Sequence, residues 1–370
     1  MNFNRRQQMQ LALLKSGKEI SYGDLDAFPL SVEELKNTSE TSPWFVSAIK
    51  HGQNANLFRI RVDDCDYALK VAKKRSASKH IDGKLSFFNE VQRRCEIQRM
   101  KEQNQRALTN VVETIYVSIN HGIILSPWIE AVPRRALSDE QLKSILYAVA
   151  ELEQMGLFGW DYRQDNIIFD QAKAWLFDFG YLYRFEPLNE FNSNGLKEPV
   201  FHSIERFETC FYFNHLLRIE KSQGHSAALA AFGREKQIAY NVYLGKLAWL
   251  QHHAAIPVVI EFVRELLTAW EKAFSSQGLL EELYVLESYR SLSLDLQQEV
   301  DAEQCSSDSI AKANKLIELS KEHYDFLKMN NALMFGDERL SPSKLLRKYQ
   351  YQKRLAIRFQ DTPQAVVTFE

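Results

Sequence analysis

At 370 residues the chain is longer than one small core requires and suits a two-lobed domain with additions. Hydrophobic residues make up 45% and charged residues 25%, an ordinary balance for a soluble globular protein. With 46 basic against 48 acidic residues the formal net charge is −2, which argues against nucleic acid or a membrane surface as a partner of the chain as a whole.

Four cysteines, Cys65, Cys95, Cys210 and Cys305, stand far apart without a CxxC pair. They read as reduced thiols of a cytoplasmic protein, neither a disulfide framework nor a zinc site. Met1 to Lys15 is polar and basic, so neither a signal peptide nor a membrane span is expected.

Residues 1–44 read as a preface. Leu11 to Leu14 starts a short helix, and Gly17, Gly23, Pro29 and the run from Asn37 to Pro43 predict turns. From Trp44 to Lys73 the pattern is β-like. Leu57–Val62 and Tyr67–Val71 alternate around an Asp63-Asp64 turn. Residues 84–104 switch to helical spacing, with Phe87, Val91, Ile97 and Met100 among charges. Val111–Val117 and Ile123–Ile129 predict two more strands.

Ser138 to Met155 carries the clearest helical pattern. Ser138 and Gln141 form a capping-box signature, Leu142, Ile145, Leu146, Val149, Leu152 and Met155 make one apolar stripe, and Gly156 ends it. A hairpin follows, Ile167–Phe169 and Ala174–Phe177. From Phe201 onward the pattern is helical, with breaks near Ser222–Gly224, Pro257, Ser275–Gly278, Ser306–Ser309 and Gly336–Pro342. A β-rich part and a mostly helical part joined near Glu130–Leu137 predict an α+β, two-lobed fold.

The chemistry concentrates in one segment. Asp161 is followed five residues later by Asn166, and twelve residues after that by Asp178-Phe179-Gly180. Asp161 can accept a proton from a hydroxyl, while Asn166 and Asp178 can hold the metal ions that neutralise a triphosphate. Any one of these motifs arises by chance; together on one hairpin, with Tyr67-Ala68-Leu69-Lys70 upstream, they do so rarely.

On these motifs residues 45–215 resemble the protein-kinase-like superfamily, above all its divergent bacterial members, the lipopolysaccharide-core sugar kinases among them. The resemblance implies a kinase-like fold with a helical C-terminal extension: a β-rich N-lobe over 45–130, a helical C-lobe core over 131–220 and the extension over 221–370. It also implies ATP and Mg²⁺ as cofactors. Lys70 would reach the α- and β-phosphates and pair with Glu90, for which Glu96 is the competitor. Ala68 would leave room for adenine, and Asp161 would serve as base. Arg163 would neutralise the transferring phosphate, and Asn166 and Asp178 would be the metal ligands.

The nucleotide loop would be Gly52 to Phe58, with a single glycine and with Asn54 and Asn56 in place of others. With Ser126 as gatekeeper, Pro127 would offer adenine its carbonyl and Ile129 its N–H. Two departures stand out: Gly159-Trp160 replaces the usual His-Arg, and no Ala-Pro-Glu follows Gly180 beyond faint candidates at Glu198-Pro199 and Glu205. The expected activity is transfer of the γ-phosphate of ATP to a hydroxyl acceptor, Ser or Thr of a protein, with a sugar or other small molecule as the alternative. A pseudokinase that serves as an interaction module is the contrasting reading. The cationic stretch Ser341–Phe359 reads as a solvated face rather than a dock for an acidic partner, and His252-His253 as surface.

Overall fold

The computed structural model describes residues 3–52, 54–76, 78, 80–132, 137–198 and 200–360. They fall into two compact units. The first holds the chain up to Asp161, then Asp165–Ser203 and His253–Val259. The second holds Tyr162–Gln164, Ile204–His252 and the chain from Ile260.

The first unit opens with α1 (Phe3–Lys15), β1 (Ser21–Tyr22) and α2 (Val32–Lys36). The helix at Leu11–Leu14 is thus a longer one that begins at Phe3. α2 lies where only turns were expected; Ser31 and Glu34 cap it reciprocally. Then come β2 (Phe45–His51), β3 (Ala55–Val62), β4 (Cys65–Ala72), α3 (Ile81–Gln103), β5 (Tyr116–Ser118) and β6 (Ile123–Pro127). The six strands form one antiparallel sheet in the order β1-β5-β6-β4-β3-β2. The β3–β4 hairpin closes through Asp63 and Asp64, both at positive φ (48° and 63°), the tight turn whose twist matches its strands.

Strand alternation divides the core into two layers. Phe58, Ile60, Leu69, Ile123 and Leu125 face one side with Leu30 and Leu35. Ile124 and Val117 face the other and pack on Phe87, Val91 and Cys95 of α3. Because side chains alternate along a strand, Leu69 in the first layer sends Lys70 to the face that α3 covers.

The strand expected over Val111–Val117 is mostly loop. Only Tyr116–Ser118 pairs as strand, because Val111 and Val112 are committed elsewhere: Val111 bridges Leu176, whose carbonyl accepts from Val112 N–H at 2.9 Å. β6 stops at Pro127, short of Ile129. Within the expected junction, residues 133–136 lie outside the described residues.

α4 (Asp139–Gln154) carries the reciprocal Ser138–Gln141 capping box. Its stripe of Leu142, Ile145, Leu146, Val149 and Leu152 is buried throughout, and Gly156 leaves the helix at φ 74°. β7 (Leu157–Gly159) pairs with β10 (Leu182–Arg184), and β8 (Ile167–Phe169) with β9 (Ala174–Leu176). The β8–β9 turn is closed by Asp170, whose Oδ1 accepts from the N–H groups of Ala172 (2.8 Å) and Lys173 (2.7 Å).

The second unit is helical: α5 (Ser203–Phe207), α6 (Phe213–Gln223), α7 (His225–His252), α8 (Pro257–Phe274), α9 (Gln277–Asp301), α10 (Ser307–Glu322), α11 (Tyr324–Met329) and α12 (Pro342–Gln360). One π-turn, Glu208–Tyr212, joins α5 to α6. Its core is unusual in burying charge. Lys236 of α7 is fully buried, ion-paired with Glu208 and, at 2.5 Å, with Glu287 of α9. Phe232 and Trp270 lie within 5.3 Å and 4.9 Å of its Nζ. Adjacent Glu235 is also fully buried, with its Oε2 3.9 Å from the Lys236 ammonium. A second buried lysine, Lys312 of α10, sits between Asp295 (2.5 Å) and Glu299 (2.6 Å) of α9. Of the cations on α12, Lys348 is ion-paired with Asp337 at 2.6 Å. The chain is α+β, with its six-stranded sheet in the N-terminal part and most of its helices in the C-terminal part.

Candidate active site

The site begins at the middle of β4. Lys70 stands opposite Leu57 of β3 and Ile124 of β6, and its ammonium meets α3. Nζ lies 3.0 and 2.9 Å from the two carboxylate oxygens of Glu90 and 2.7 Å from Oδ2 of Asp178. The lysine side chain is 11% exposed, that of Glu90 4% and that of Asp178 29%. Three residues spread over more than a hundred positions thus share one charge cluster. Glu96 is turned away from it and binds Arg93 (2.9 Å) and Arg184 (3.0 Å).

Two opposed effects set the protonation of Asp178. Burial favours the neutral acid, but the Lys70 charge and its hydrogen bond outweigh burial, with the Gly180 N–H and the Arg94 charge adding to them, and hold the carboxyl at about 2. Burial would likewise lower the Lys70 ammonium, and the charges of Asp178 and Glu90 overcome it, so its pKa is raised. Asp178 is therefore a carboxylate and Lys70 an ammonium at every physiological pH.

The hairpin register places the second metal-ligand candidate. Ile167 pairs with Leu176, so Asn166 and Phe177 flank the open end, where Phe177 N–H donates to Asn166 O at 3.3 Å. Asn166 thus stands opposite Phe177, the residue before Asp178. The Asn166 amide nitrogen donates to the Asp161 carbonyl at 3.1 Å, which fixes Asn166 to the segment of the candidate base and turns its Oδ1 away from that bond. Asp161 is half-buried. Arg163 is exposed and belongs, with Tyr162 and Gln164, to the second unit.

Trp160 stands in the place of the missing His-Arg. Its N–H donates to Tyr181 O at 3.1 Å, its indole donates to Ser193 Oγ at 2.8 Å, and its ring packs edge-on against Phe158 and Phe201. Gly180 sits so close to α3 that a Cβ there would lie 3.1 Å from the Ser86 Cβ. Farther on, buried Asn192 donates to Glu198 O and Phe201 O at 2.9 and 3.0 Å; Pro199 lies outside the described residues.

The candidate nucleotide-binding residues are more dispersed. Ala68 pairs with Ser126, and Tyr67 with Pro127. Pro127 and Ile129 are half-buried, and between them Trp128 N–H donates to Asp66 O at 3.0 Å. At the β2–β3 turn the Gly52 carbonyl accepts from Lys73 Nζ at 2.6 Å, and Asn56 already lies in the β3 ladder opposite His51 and Val71. Asn54 donates its amide to Gly83 O and to Ser86 Oγ (2.5 Å) and accepts from Ser76, which ties the turn to the start of α3. Gln53 lies outside the described residues.

Two residues that organise this site were missed in the sequence, both on α3. Asn89, 1% exposed, donates from one amide nitrogen to the carbonyls of Phe179 (3.2 Å), Gly180 (3.1 Å) and Leu182 (2.9 Å), while its Oδ1 accepts from Gln10 of α1 at 2.9 Å. Arg94, 2% exposed, lies one turn after Glu90, bonds to its Oε1 at 2.9 Å and covers the Phe179 ring at 5.1 Å. The only sequence signal was an arginine four residues from a glutamate, which usually marks a solvated helix face.

No protein-family model matches the chain, and no curated protein does. Among solved structures, that of vaccinia related kinase 3 aligns at 13% identity and a TM-score of 0.28, over 39% of this chain and 48% of that one. The aligned part thus spans about half of that kinase. A likeness so distant carries no functional weight.

Proposed function

We propose that the protein is an ATP- and Mg²⁺-dependent phosphotransferase whose acceptor is a hydroxyl, in the first instance Ser or Thr of a protein. The observation that carries this reading is the Lys70 ammonium held jointly by Glu90 and Asp178, with Asn166 opposite the residue before Asp178 and bound to the Asp161 carbonyl. A cation fixed by a helix carboxylate is presented to phosphates without reorganisation, and phosphoryl transfer needs chiefly positioning and charge neutralisation.

An ionised carboxylate and an amide oxygen suit Mg²⁺, which keeps several waters and binds few protein oxygens together with substrate phosphates. Bound there, the ion would neutralise charge developing on the phosphate oxygens. Lys70 leaves Asp178 for the α- and β-phosphates and keeps Glu90. Asp161 orients the acceptor hydroxyl and takes its proton. Arg163, on its chain position alone, supplies a planar cation for the transferring group. Ala68, Pro127 and Ile129 hold adenine, and the turn of Gly52, Asn54 and Asn56 covers the phosphates. In domain terms, residues 45–130 form the nucleotide-side lobe, 131–220 the catalytic part and 221–370 an added helical region.

The test is transfer of radiolabelled γ-phosphate into lysate, with protein-bound and small-molecule label separated afterwards, using the wild type, Asp161→Ala and Asp178→Ala. Label in the protein fraction that both substitutions abolish supports the proposal. Label confined to small molecules moves the acceptor to a sugar or metabolite. Equal labelling in all three proteins removes the assignment.

A further inference from the structure

Arg94 is a buried guanidinium on which four separate elements converge. Nε donates to Glu90 Oε1 at 2.9 Å; one terminal nitrogen donates to Thr114 Oγ1 and Ser126 Oγ, both at 3.1 Å; the other donates to the carbonyl of Phe177, the residue before Asp178. These partners lie on α3, before β5, on β6 ahead of the proposed adenine-binding backbone, and ahead of the proposed metal-binding carboxylate. A lysine could not span them, because it offers a point charge where this site uses a planar fork.

We infer that Arg94 is a positioning residue of the phosphotransfer site, acting through Glu90 and through the Phe177 carbonyl to fix Lys70 and Asp178 in one geometry. The inference rests on the phosphotransferase reading above. Glu90 would otherwise have to divide its hold on Lys70 between the resting state, in which Lys70 also binds Asp178, and the nucleotide-bound state, in which it does not. The second cation keeps Glu90 in place in both. Two cations (Lys70, Arg94) and two carboxylates (Glu90, Asp178) balance, so the cluster is neutral at rest and becomes cationic toward phosphates as Asp178 turns to the metal. The Phe177 bond adds a mechanical link: a shift of α3 that carries Glu90 away from Lys70 would also pull on the backbone that places Asp178. The bond thereby ties the helix to the metal-binding segment.

The experiment is a double-mutant cycle on the full chain with MgATP itself as the probe. It reads kcat and KM for basal hydrolysis in the wild type, Glu90→Gln, Arg94→Met and the double variant, with Arg94→Lys alongside. Misplacing reacting groups by about an ångström costs on the order of 100-fold, so Arg94→Met should lose about that factor in kcat/KM. If Arg94 acts through Glu90 as well as through the Phe177 carbonyl, the double variant loses at least about threefold less than the product of the two single losses, because coupled residues are not additive. Arg94→Lys keeps the charge on Glu90 and should regain about tenfold of the loss, mainly in KM.

Multiplication of the two single losses, or an Arg94→Met enzyme within about threefold of the wild type, overturns the inference. Should Arg94→Met fail to fold, the same cycle is run with Arg94→Lys and Glu90→Gln. A wild type with neither hydrolysis nor an MgATP-dependent rise in melting temperature instead overturns the phosphotransferase reading beneath it.

Discussion

Replacing Glu235 by glutamine should remove one share of the pH dependence of the helical unit's stability, leaving that of Glu208, whose carboxyl burial also pushes up. Glu235 is fully buried, its Oε2 lies 3.9 Å from the Lys236 ammonium, and Glu208 and Glu287 also act on it. Burial pushes its carboxyl up, the Lys236 charge partly offsets this, Glu287 adds to the rise, and the group settles at about 7 instead of 4.5. A folded acid with a raised pKa binds protons that the unfolded chain has released. The stability it confers is therefore complete below about pH 4.5 and lost as pH rises through 7. The gap between 4.5 and about 7, at 1.36 kcal/mol for each pH unit, is worth about 3 kcal/mol. Glutamine mimics the protonated acid and loses nothing.

The assay is urea unfolding at pH 5 and pH 8.5, followed by tryptophan fluorescence, in which buried Trp270, 4.9 Å from the Lys236 ammonium, is a local reporter. The difference between variant and wild type cancels the opposite trend of His215. Burial lowers that imidazole to about 4, so the stability it contributes is present above about 6.5 and falls away toward acid. A variant whose stability follows pH as steeply as the wild type's would refute the argument.

Asp161→Asn should lower transfer by about 100-fold or more while leaving the thermal shift with MgATP intact, since it removes proton transfer and not binding. Asp178→Asn should abolish the magnesium-dependent part of that shift; a shift identical with and without magnesium in the wild type would contradict this role. Ser138→Ala should cost about 1 kcal/mol of stability through loss of the α4 cap, measured by chemical denaturation. Ile145→Ala, at a fully buried position of the same helix, should cost about 2–5 kcal/mol through the cavity it opens.

What could be read from the sequence was what is local. The apolar stripe and caps of α4, the β8–β9 hairpin and the breaks between the C-terminal helices are written within a few residues of each element, and the structure places them there. α2 was equally local and was passed over: Ser31 and Glu34 are a capping-box pair inside a stretch dominated by turn-forming residues. The strand expected at Val111 failed for a non-local reason, because β-branched residues there are satisfied by Leu176, far along the chain.

The same limit applies to the site. The Asp161, Asn166 and Asp178 spacing is visible in one short segment. Arg94 gathers partners at positions 90, 114, 126 and 177, and nothing in a linear pattern joins those numbers. α3 buries charged residues beside apolar ones, so its periodicity understates how much of it is interior. The lysine-centred clusters of the second unit are hidden for the same reason, since Lys236 stands between Glu235 and Gln237 and such a polar run reads as surface.

The first fifteen residues carry a practical consequence. α1 lies along α3: Arg6 binds Asp82 at 3.0 Å and stacks 3.6 Å over the Tyr183 ring, and Gln10 holds the same Asn89 that bonds to the Phe179–Leu182 backbone. A chain trimmed to begin at the sheet would keep every residue proposed to touch nucleotide and still lose this splint on the helix that carries Glu90. Such a trimmed protein should bind MgATP more weakly than the full chain, by an amount isothermal titration can measure. A purification tag fused directly to α1 would trouble the same contacts, so a tag at the other end is the safer choice for any assay of this protein.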